Sequence, residues 1–313
     1  MCTGVRFTDN NNNLFFGRNL DVPASYGQKI MVTPRNYKIP FKHVDDMVTT
    51  KAMIGIGITA GDYPLYFDAA NENGLCIANL NFPKFATYLD NEVDGKQNIT
   101  SYEFMTWILQ NFDTVEEIKS FDLEKNLSFI NTPLNEQMGT APAHWLISDA
   151  TASIVVEPSP RGVKVYDNPV GVLTNNPEFD WHLMNLNNYL GMNPVGKDAT
   201  KWGDAELWTL GVGTGAFGMP GDWTPPSRFV KVAYVNHFYP TQDTEEKNVT
   251  RLFNTLKSVA MPEGAVDGEV TIYSSCYSSA TKTYYFDTYN EFNLQSHTMS
   301  DEEMTKDSIT IVG

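Results

Sequence analysis

The 313-residue sequence is poor in cysteine and contains no long apolar run. Its three cysteines, Cys2, Cys76 and Cys276, are too few and too widely spaced for a disulfide framework or a zinc site. No stretch of about 18 uninterrupted apolar residues occurs, which excludes a transmembrane helix. The N-terminus also lacks the basic and apolar regions of a signal peptide. We therefore expect a cytoplasmic protein with no membrane partner.

Positive charge is also scarce. The chain has 22 Lys and Arg against 38 Asp and Glu, which gives a formal net charge of −16. An acidic surface repels nucleic acid and acidic lipids. The five histidines show no metal-ligand spacing, and neither a phosphate-binding loop nor a dinucleotide fingerprint occurs. We expect no metal, no cofactor and no nucleic-acid partner, and an anionic substrate would have to be met by individual arginines.

The sequence does contain enough apolar residues for a large core, since 42% of its residues are hydrophobic and 12% are aromatic. Strands are predicted at residues 2–8, 14–20, 28–33, 53–58, 75–80, 144–148, 153–157, 163–166, 172–174, 270–273 and 283–286. Helices are predicted behind the capping boxes Thr100-x-x-Glu103 and Thr114-x-x-Glu117, and at 181–190, 228–238 and 244–260. Residues 199–227 are predicted to form an ordered loop. This order indicates an α+β protein, with two antiparallel sheets between helical layers and one domain over residues 1–313.

Cys2 is the first candidate for chemistry. Removal of Met1 would leave one residue that carries both a thiol and a free α-amino group. An N-terminal amine titrates near pH 8 in peptides, so it can take the proton of its own thiol. The alternative is that a small second residue occurs by chance. Only Met1 precedes Cys2, so removal of that residue is expected to suffice for activation.

Arg18 and Asp21 follow the first predicted hairpin and therefore lie on the strand next to Cys2. A guanidinium near the thiol favours the thiolate, and a carboxylate can hold the amino group. A surface ion pair on an edge strand is the alternative. Asn81 and Asn175 end two strands, where asparagine commonly forms turns but can also donate to an oxyanion. Arg228 begins a helix, where it is badly placed for the helix dipole, which suggests a role elsewhere.

Five separated motifs occur in order along the chain: Met1-Cys2-Thr3, Phe16-Gly17-Arg18-Asn19-Leu20-Asp21, Asn81-Phe82-Pro83, residues 168–177 and residues 220–229. Together they resemble the choloylglycine hydrolase family, which comprises the bile salt hydrolases and penicillin V acylases of the N-terminal nucleophile superfamily. The resemblance runs from residue 2 to about residue 290. It implies a four-layer αββα sandwich, a homotetramer and no cofactor. It also implies that Cys2 is the nucleophile, surrounded by Arg18, Asp21, Asn81, Asn175 and Arg228.

The resemblance implies hydrolysis of glycine- or taurine-conjugated bile salts through a thioester. Asn81 favours the bile salt hydrolases, since penicillin V acylases tend to have tyrosine there, whereas residues 85–88 look more like an acylase. Asn79 stands where glycine is usual. An inactive binding protein of the same fold is a further alternative, but neither Cys2 nor its partners are lost. Apolar loop residues are expected to hold the acyl group, the candidates being Leu20, Tyr26, Leu134 and Met138.

Overall fold

The computed structural model describes residues 1–135 and 139–312 of the chain. Its strands, in chain order, are β1 (Cys2–Thr8), β2 (Leu14–Val22), β3 (Lys29–Thr33), β4 (Lys38–Ile39), β5 (Met47–Val48), β6 (Met53–Ala60), β7 (Tyr63–Asn71), β8 (Cys76–Asn81), β9 (Gln97–Thr100), β10 (Leu127–Ile130), β11 (Ala143–Ser148), β12 (Ser153–Ser159), β13 (Gly162–Asp167), β14 (Val172–Leu173), β15 (Ala199–Trp202), β16 (Ala205–Trp208), β17 (Val270–Ser278), β18 (Thr283–Thr288), β19 (Glu291–Thr298) and β20 (Thr310–Val312). The helices are α1 (Phe104–Asn111), α2 (Val115–Phe121), α3 (Leu123–Asn126), α4 (Phe179–Leu186), α5 (Pro225–Phe238) and α6 (Glu245–Lys257).

Two large antiparallel sheets contain most of these strands. The first has six strands in the order β14-β1-β2-β17-β18-β19. The second has eight, in the order β13-β12-β11-β8-β7-β6-β3-β20. In the first sheet, β1 and β2 form a hairpin in which Cys2 lies opposite Leu20 and Gly4 lies opposite Arg18. Paired residues share a face of a sheet, so the side chains of Cys2 and Arg18 point the same way.

The apolar contacts define four layers. Phe229 of α5 and Leu252 of α6 pack on the six-stranded sheet, and Leu80 of β8 belongs to the same core cluster as Cys2. The two sheets therefore face each other. On the far side, Phe104 of α1 packs with Trp145 of the eight-stranded sheet. The result is the αββα sandwich that the sequence predicts. No described helix is long and apolar enough to cross a membrane.

A glycine permits the tight packing around β2. A Cβ atom on Gly17 would lie 1.9 Å from the main-chain oxygen of Ser275 on β17 and 2.8 Å from a methyl group of Leu252 on α6. Contacts this short do not occur, so only glycine fits between the neighbouring strand and the helical layer. The next residue is Arg18, and its position depends on this close approach.

The structure corrects several sequence-based predictions. Strands β4, β5, β7, β9, β10, β19 and β20 were not predicted. Residues 199–208, predicted as part of a loop, form the hairpin β15–β16. The hydroxyl of Thr114 caps α2, accepting from the main-chain N–H of Glu117 at 3.1 Å. Thr100 instead ends β9 and does not cap α1.

Candidate active site

The β1–β2 hairpin places Arg18 beside the thiol of Cys2. Cys2 is only 3% exposed, and Nη2 of Arg18 lies 2.5 Å from its sulfur. Nη1 of Arg18 donates to the carbonyl oxygens of Phe67 at 2.9 Å and Asn79 at 2.6 Å, and also contacts the Asn79 side chain. Burial alone would lower the pKa of Arg18, but nearby groups, led by Cys2, raise it overall. The guanidinium is a fixed positive charge at the sulfur.

Arg228 holds the main chain of the same strand from the helical side. It lies in the first turn of α5 and is fully buried. Its Nη1 donates to the carbonyl of Cys2 at 2.5 Å and to the hydroxyl of Thr3 at 2.6 Å, and its Nη2 donates to Oδ1 of Asn175 at 2.7 Å. Burial lowers the pKa of Arg228. These contacts fix the backbone that carries the thiol.

The N-terminal amino group of Met1 forms an ion pair with Glu269 at 2.6 Å and donates to the main-chain carbonyl of Asp21. The carboxylate of Asp21 is fully buried; its Oδ1 accepts from the hydroxyl of Thr271 at 2.6 Å, and its Oδ2 lies 3.9 Å from Nη1 of Arg228. Within residues 1–135 and 139–312, that Oδ2 has no hydrogen-bond partner. A buried carboxylate oxygen that faces Arg228 but accepts no hydrogen bond from the described residues therefore lies on the strand next to Met1 and Cys2.

Asn175 links Cys2 to the other candidate residues. Its Oδ1 accepts from the main-chain nitrogen of Cys2 at 2.9 Å as well as from Arg228, and its Nδ2 donates to the carbonyl of Asn81 at 2.6 Å. One of its two amide hydrogens is therefore engaged by Asn81. The side chain of Asn81 is more exposed and lines two cavities beside Cys2.

These two cavities meet at the N-terminus. The first, about 400 Å³, is lined by Cys2 together with Leu20, Tyr26 and Leu134, three of the residues proposed to hold an acyl group. Met138, the fourth, lies outside the described residues. The second cavity, about 380 Å³, is lined by Asn175 among others. Met1 and Asn81 line both cavities, whereas Cys2 lines only the first.

Sequence reasoning missed several residues around the site. Asp68 of β7 is buried behind Arg18 and accepts from the hydroxyls of Tyr273 at 2.5 Å, Ser275 at 2.7 Å and Tyr284. Burial raises the pKa of Asp68 even though Arg18 opposes the shift. A single acidic residue between the apolar residues Phe67 and Ala69 was the available signal. Glu269 gave no such signal, because only the fold brings it to the N-terminus.

The other two cysteines lie in the apolar core. Cys76 and Cys276 are fully buried and free, and burial raises the pKa of both thiols well above the ordinary value. They are therefore poor nucleophiles. In the part of the chain that the structure describes, no group of three or more His, Cys, Asp or Glu side chains could hold a metal ion.

An αββα sandwich with a cysteine at the start of its first strand is the arrangement found in cysteine-dependent N-terminal nucleophile hydrolases. More narrowly, the chain belongs to the linear amide C–N hydrolases of the choloylglycine hydrolase family, whose model matches residues 2–312.

Individual relatives agree with this assignment. The chain is 49% identical over 315 residues to the conjugated bile acid hydrolase of Lactobacillus gasseri, with 99% of each chain covered. The crystal structure of the C2A mutant of the conjugated bile acid hydrolase from Clostridium perfringens matches with a TM-score of 0.92 and 37% identity, covering 100% of this chain and 97% of that one. Penicillin V acylase from Agrobacterium tumefaciens shares the fold, with a TM-score of 0.79, 19% identity and coverage of 99% and 90%.

Proposed function

We propose that this enzyme hydrolyses the amide bond of bile salts conjugated to glycine or taurine. The observation that carries the proposal is the thiol of Cys2, which lies 2.5 Å from a guanidinium nitrogen of Arg18 at the wall of a cavity of about 400 Å³. The identity with the conjugated bile acid hydrolase of L. gasseri supports the substrate class.

The reaction begins when the α-amino group of Cys2, freed by removal of Met1, takes the thiol proton. The thiolate attacks the amide carbon, a C–S bond forms, and the carbonyl oxygen becomes an oxyanion that Asn81 and Asn175 stabilise through their amide N–H groups. The ammonium then protonates the leaving nitrogen and the C–N bond breaks. Water, deprotonated by the same amine, attacks the thioester carbonyl, and the C–S bond breaks to release the bile acid and the thiol.

The surroundings of the N-terminus support removal of Met1. Met1 lines both cavities, so its removal would enlarge the space available to a substrate beside Cys2. The new α-ammonium of Cys2 can bind Oδ1 of Asn175, which already accepts from the Cys2 nitrogen. Asp21 offers a further acceptor in its Oδ2, which accepts no hydrogen bond from the described residues, and this supports its role in holding the amine.

The first cavity is suited to the acyl group. Leu20, Tyr26 and Leu134 give it apolar walls, and burial of apolar surface favours a large rigid steroid. Arg18 lines the same cavity, but its guanidinium already contacts the Cys2 sulfur and two main-chain carbonyls. Arg228 is fully buried in contacts with β1 and Asn175. We infer that they act on the reacting groups and on the backbone.

The proposal is tested by an activity assay on purified protein that intact-mass measurement shows to begin at Cys2. Release of glycine or taurine from glycocholate and taurocholate is measured with ninhydrin, beside penicillin V and with Cys2→Ala as control. The bile salts should be hydrolysed at least about tenfold faster, a difference of about 1.4 kcal/mol in transition-state binding. Faster hydrolysis of penicillin V would make the enzyme an acylase. Binding without turnover would indicate an inactive binding protein.

The same measurement on Asn81→Tyr examines the specificity. We expect this variant to narrow the difference between the two substrate classes, because it removes an amide donor and adds an aromatic wall suited to a phenoxy ring. A wild-type-like ratio would mean that Asn81 does not set the preference.

We further propose a cytoplasmic homotetramer. The cytoplasm keeps thiols reduced, as a cysteine nucleophile requires. Support for assembly comes from large apolar side chains that are exposed within residues 181–217, including Leu190, Trp202, Trp208, Leu210 and Phe217.

A further inference from the structure

Two buried histidines lie behind the loop that carries Asn175. His144 of β11 and His182 of α4 are both fully buried. Nε2 of His144 lies 2.9 Å from the carbonyl oxygen of Thr174, and Nε2 of His182 lies 2.9 Å from the carbonyl oxygen of Asn175. A carbonyl oxygen can only accept, so both Nε2 atoms carry hydrogen and donate. Two consecutive peptide groups of the loop are thus held by imidazoles from two different elements.

Each imidazole also stacks on a residue next to another candidate catalytic group. The His144 ring stacks on Phe82, which follows Asn81, with centroids 4.2 Å apart and planes 8° from parallel. The His182 ring stacks on Phe229, which follows Arg228, at 4.7 Å and 22°. The two histidines therefore join the end of β8, the Asn175 loop and the first turn of α5.

Burial keeps the ring of His182 neutral. It lowers the pKa of His182 to about 4, so at neutral pH the ring has a single N–H group, which donates to the carbonyl of Asn175. Nδ1 of His144 lies 3.0 Å from Oε1 of Glu157, which is itself buried and accepts at 3.2 Å from the main-chain nitrogen of Phe179, at the start of α4. Glu157 thereby links His144 to the helix that carries His182.

The two histidines support the loop that carries Asn175. The side chain of Asn175 contacts the Cys2 nitrogen, Arg228 and the Asn81 carbonyl at 2.6–2.9 Å, yet Asn175 lies beyond the end of β14. Reacting groups must be held to within about 0.5 Å, and a loop alone does not provide that. We propose that His144 and His182 are positioning residues, which hold the carbonyls of Thr174 and Asn175 and so keep the Asn175 side chain aligned. This inference rests on the hydrolytic function proposed above.

Substitutions at His182 separate the hydrogen bond from the stacking. His182→Phe keeps an aromatic ring against Phe229 but removes the donor, whereas His182→Gln keeps an N–H donor. We expect His182→Phe to lower kcat at least tenfold with KM changed less than twofold, and His182→Gln to recover most of the loss. His144→Gln, which also keeps a donor, should lose less than His144→Phe.

A double-mutant cycle distinguishes positioning from a general structural effect. If His182 acts through Asn175, His182→Phe should cause no further loss of kcat in an Asn175→Ala background. Asn71→Ala is the matched control. The Asn71 amide is buried and donates to the carbonyls of Leu109 and Phe112, so its loss should lower the Tm but leave kcat per folded enzyme unchanged.

A wild-type kcat in His182→Phe, or an equal loss in both backgrounds, would overturn the inference. Alkylation of Cys2 by iodoacetamide gives a readout without substrate, since Asn175 holds the Cys2 nitrogen. We expect the rate to change at least threefold in His182→Phe and not in Asn71→Ala. Wild-type protein that hydrolyses no amide would refute the proposed function. The alkylation rates would still decide the inference, and an unchanged rate in His182→Phe would refute it.

Discussion

Arg18 and Arg228 approach Cys2 from opposite faces of β1, and both guanidinium groups are shielded from water. Arg18 contacts the sulfur, whereas Arg228 contacts the carbonyl of the same residue. Buried charges are expensive unless acceptors surround them. Main-chain carbonyls and Asp68 satisfy this need on the Arg18 side. Removal of either arginine should therefore affect stability as well as catalysis.

Cys2→Ala is the simplest test at this scale. We expect hydrolysis to be abolished, because both other cysteines are buried with raised pKa values. The fold should persist, since Cys2 forms no disulfide and the substitution removes a single atom. Circular dichroism and a bile salt assay on the same sample would check both expectations. Substantial turnover by the variant would refute the N-terminal nucleophile mechanism.

Arg18→Ala should make Cys2 less reactive. Loss of a cation 2.5 Å from the sulfur removes a favourable interaction with the negative charge that the sulfur carries when it attacks, and alkylation by iodoacetamide at pH 7 should slow at least about tenfold. Arg161→Ala, in the exposed turn between β12 and β13, is the control and should leave the alkylation rate unchanged. Equal rates for wild type and Arg18→Ala would limit Arg18 to a structural or substrate-binding role.

His182 should make the fold sensitive to acid. Its pKa is about 4 in the fold, against about 6.5 in an unfolded chain, so the unfolded state binds more protons between these values. Stability should therefore fall as the pH decreases from about 6.5 to 4, by at most roughly 3 kcal/mol from this residue. Urea titrations across this range should give a shallower slope for His182→Gln than for wild type. Identical slopes would show that His182 does not titrate in this way.

How far the sequence predicted the site depended on distance along the chain. Arg18 could be placed near Cys2 because a tight hairpin fixes which residues of adjacent strands lie together. His144, His182 and Glu269 could not, because their contacts depend on the packing of layers that are far apart in sequence. Asp68 was missed together with its strand.

At the scale of elements, the β1–β2 hairpin depends on Gly17. Gly17→Ala should destabilise the fold by about 1–3 kcal/mol, since the added methyl group would collide with the Ser275 carbonyl and with Leu252. Activity should fall too, because Arg18 is the next residue. Urea unfolding would measure the loss, with Gly191→Ala as control, since a Cβ there meets no atom within 4 Å. Equal stability of the two variants would contradict this account of the packing.

The missed strands have identifiable causes. β7 is almost wholly buried, has proline at its second position and contains Asp68, so it shows neither alternation nor an uninterrupted apolar run. β15 and β16 are exposed at every residue, so burial imposes no pattern on them. Of the two predicted capping residues, Thr114 caps α2 but Thr100 does not cap α1, because Thr100 is the last residue of β9.

At the scale of the whole molecule, the two sheets meet through polar groups as well as apolar ones. Asp68 belongs to the eight-stranded sheet, whereas the hydroxyls of Tyr273, Ser275 and Tyr284 come from β17 and β18 of the six-stranded sheet. This cluster lies between the layers, next to Arg18. The alignment of the two sheets therefore affects the position of the Arg18 guanidinium, which contacts the Cys2 sulfur.

One described segment of the surface carries several large apolar side chains. Trp202 and Trp208 of the β15–β16 hairpin are 76% and 70% exposed, and Leu210 and Phe217 are exposed beyond 90%. Large apolar side chains gathered in one segment of a strongly charged protein commonly mark an interface. Since the chain has a net charge of −16, copies would repel each other unless such apolar contacts offset the repulsion.

We therefore predict that light scattering during size exclusion gives the mass of four 35.1-kDa chains. The double variant Trp202→Ser/Trp208→Ser should shift the population to smaller species. Its circular dichroism spectrum should stay unchanged, because these residues lie outside the core. Ile311→Ser, at a side chain that is 53% exposed on β20, is the control and should leave the mass unaltered. A monomeric wild type at micromolar concentration would contradict the tetramer, and an unshifted double variant would place the interface elsewhere on the surface.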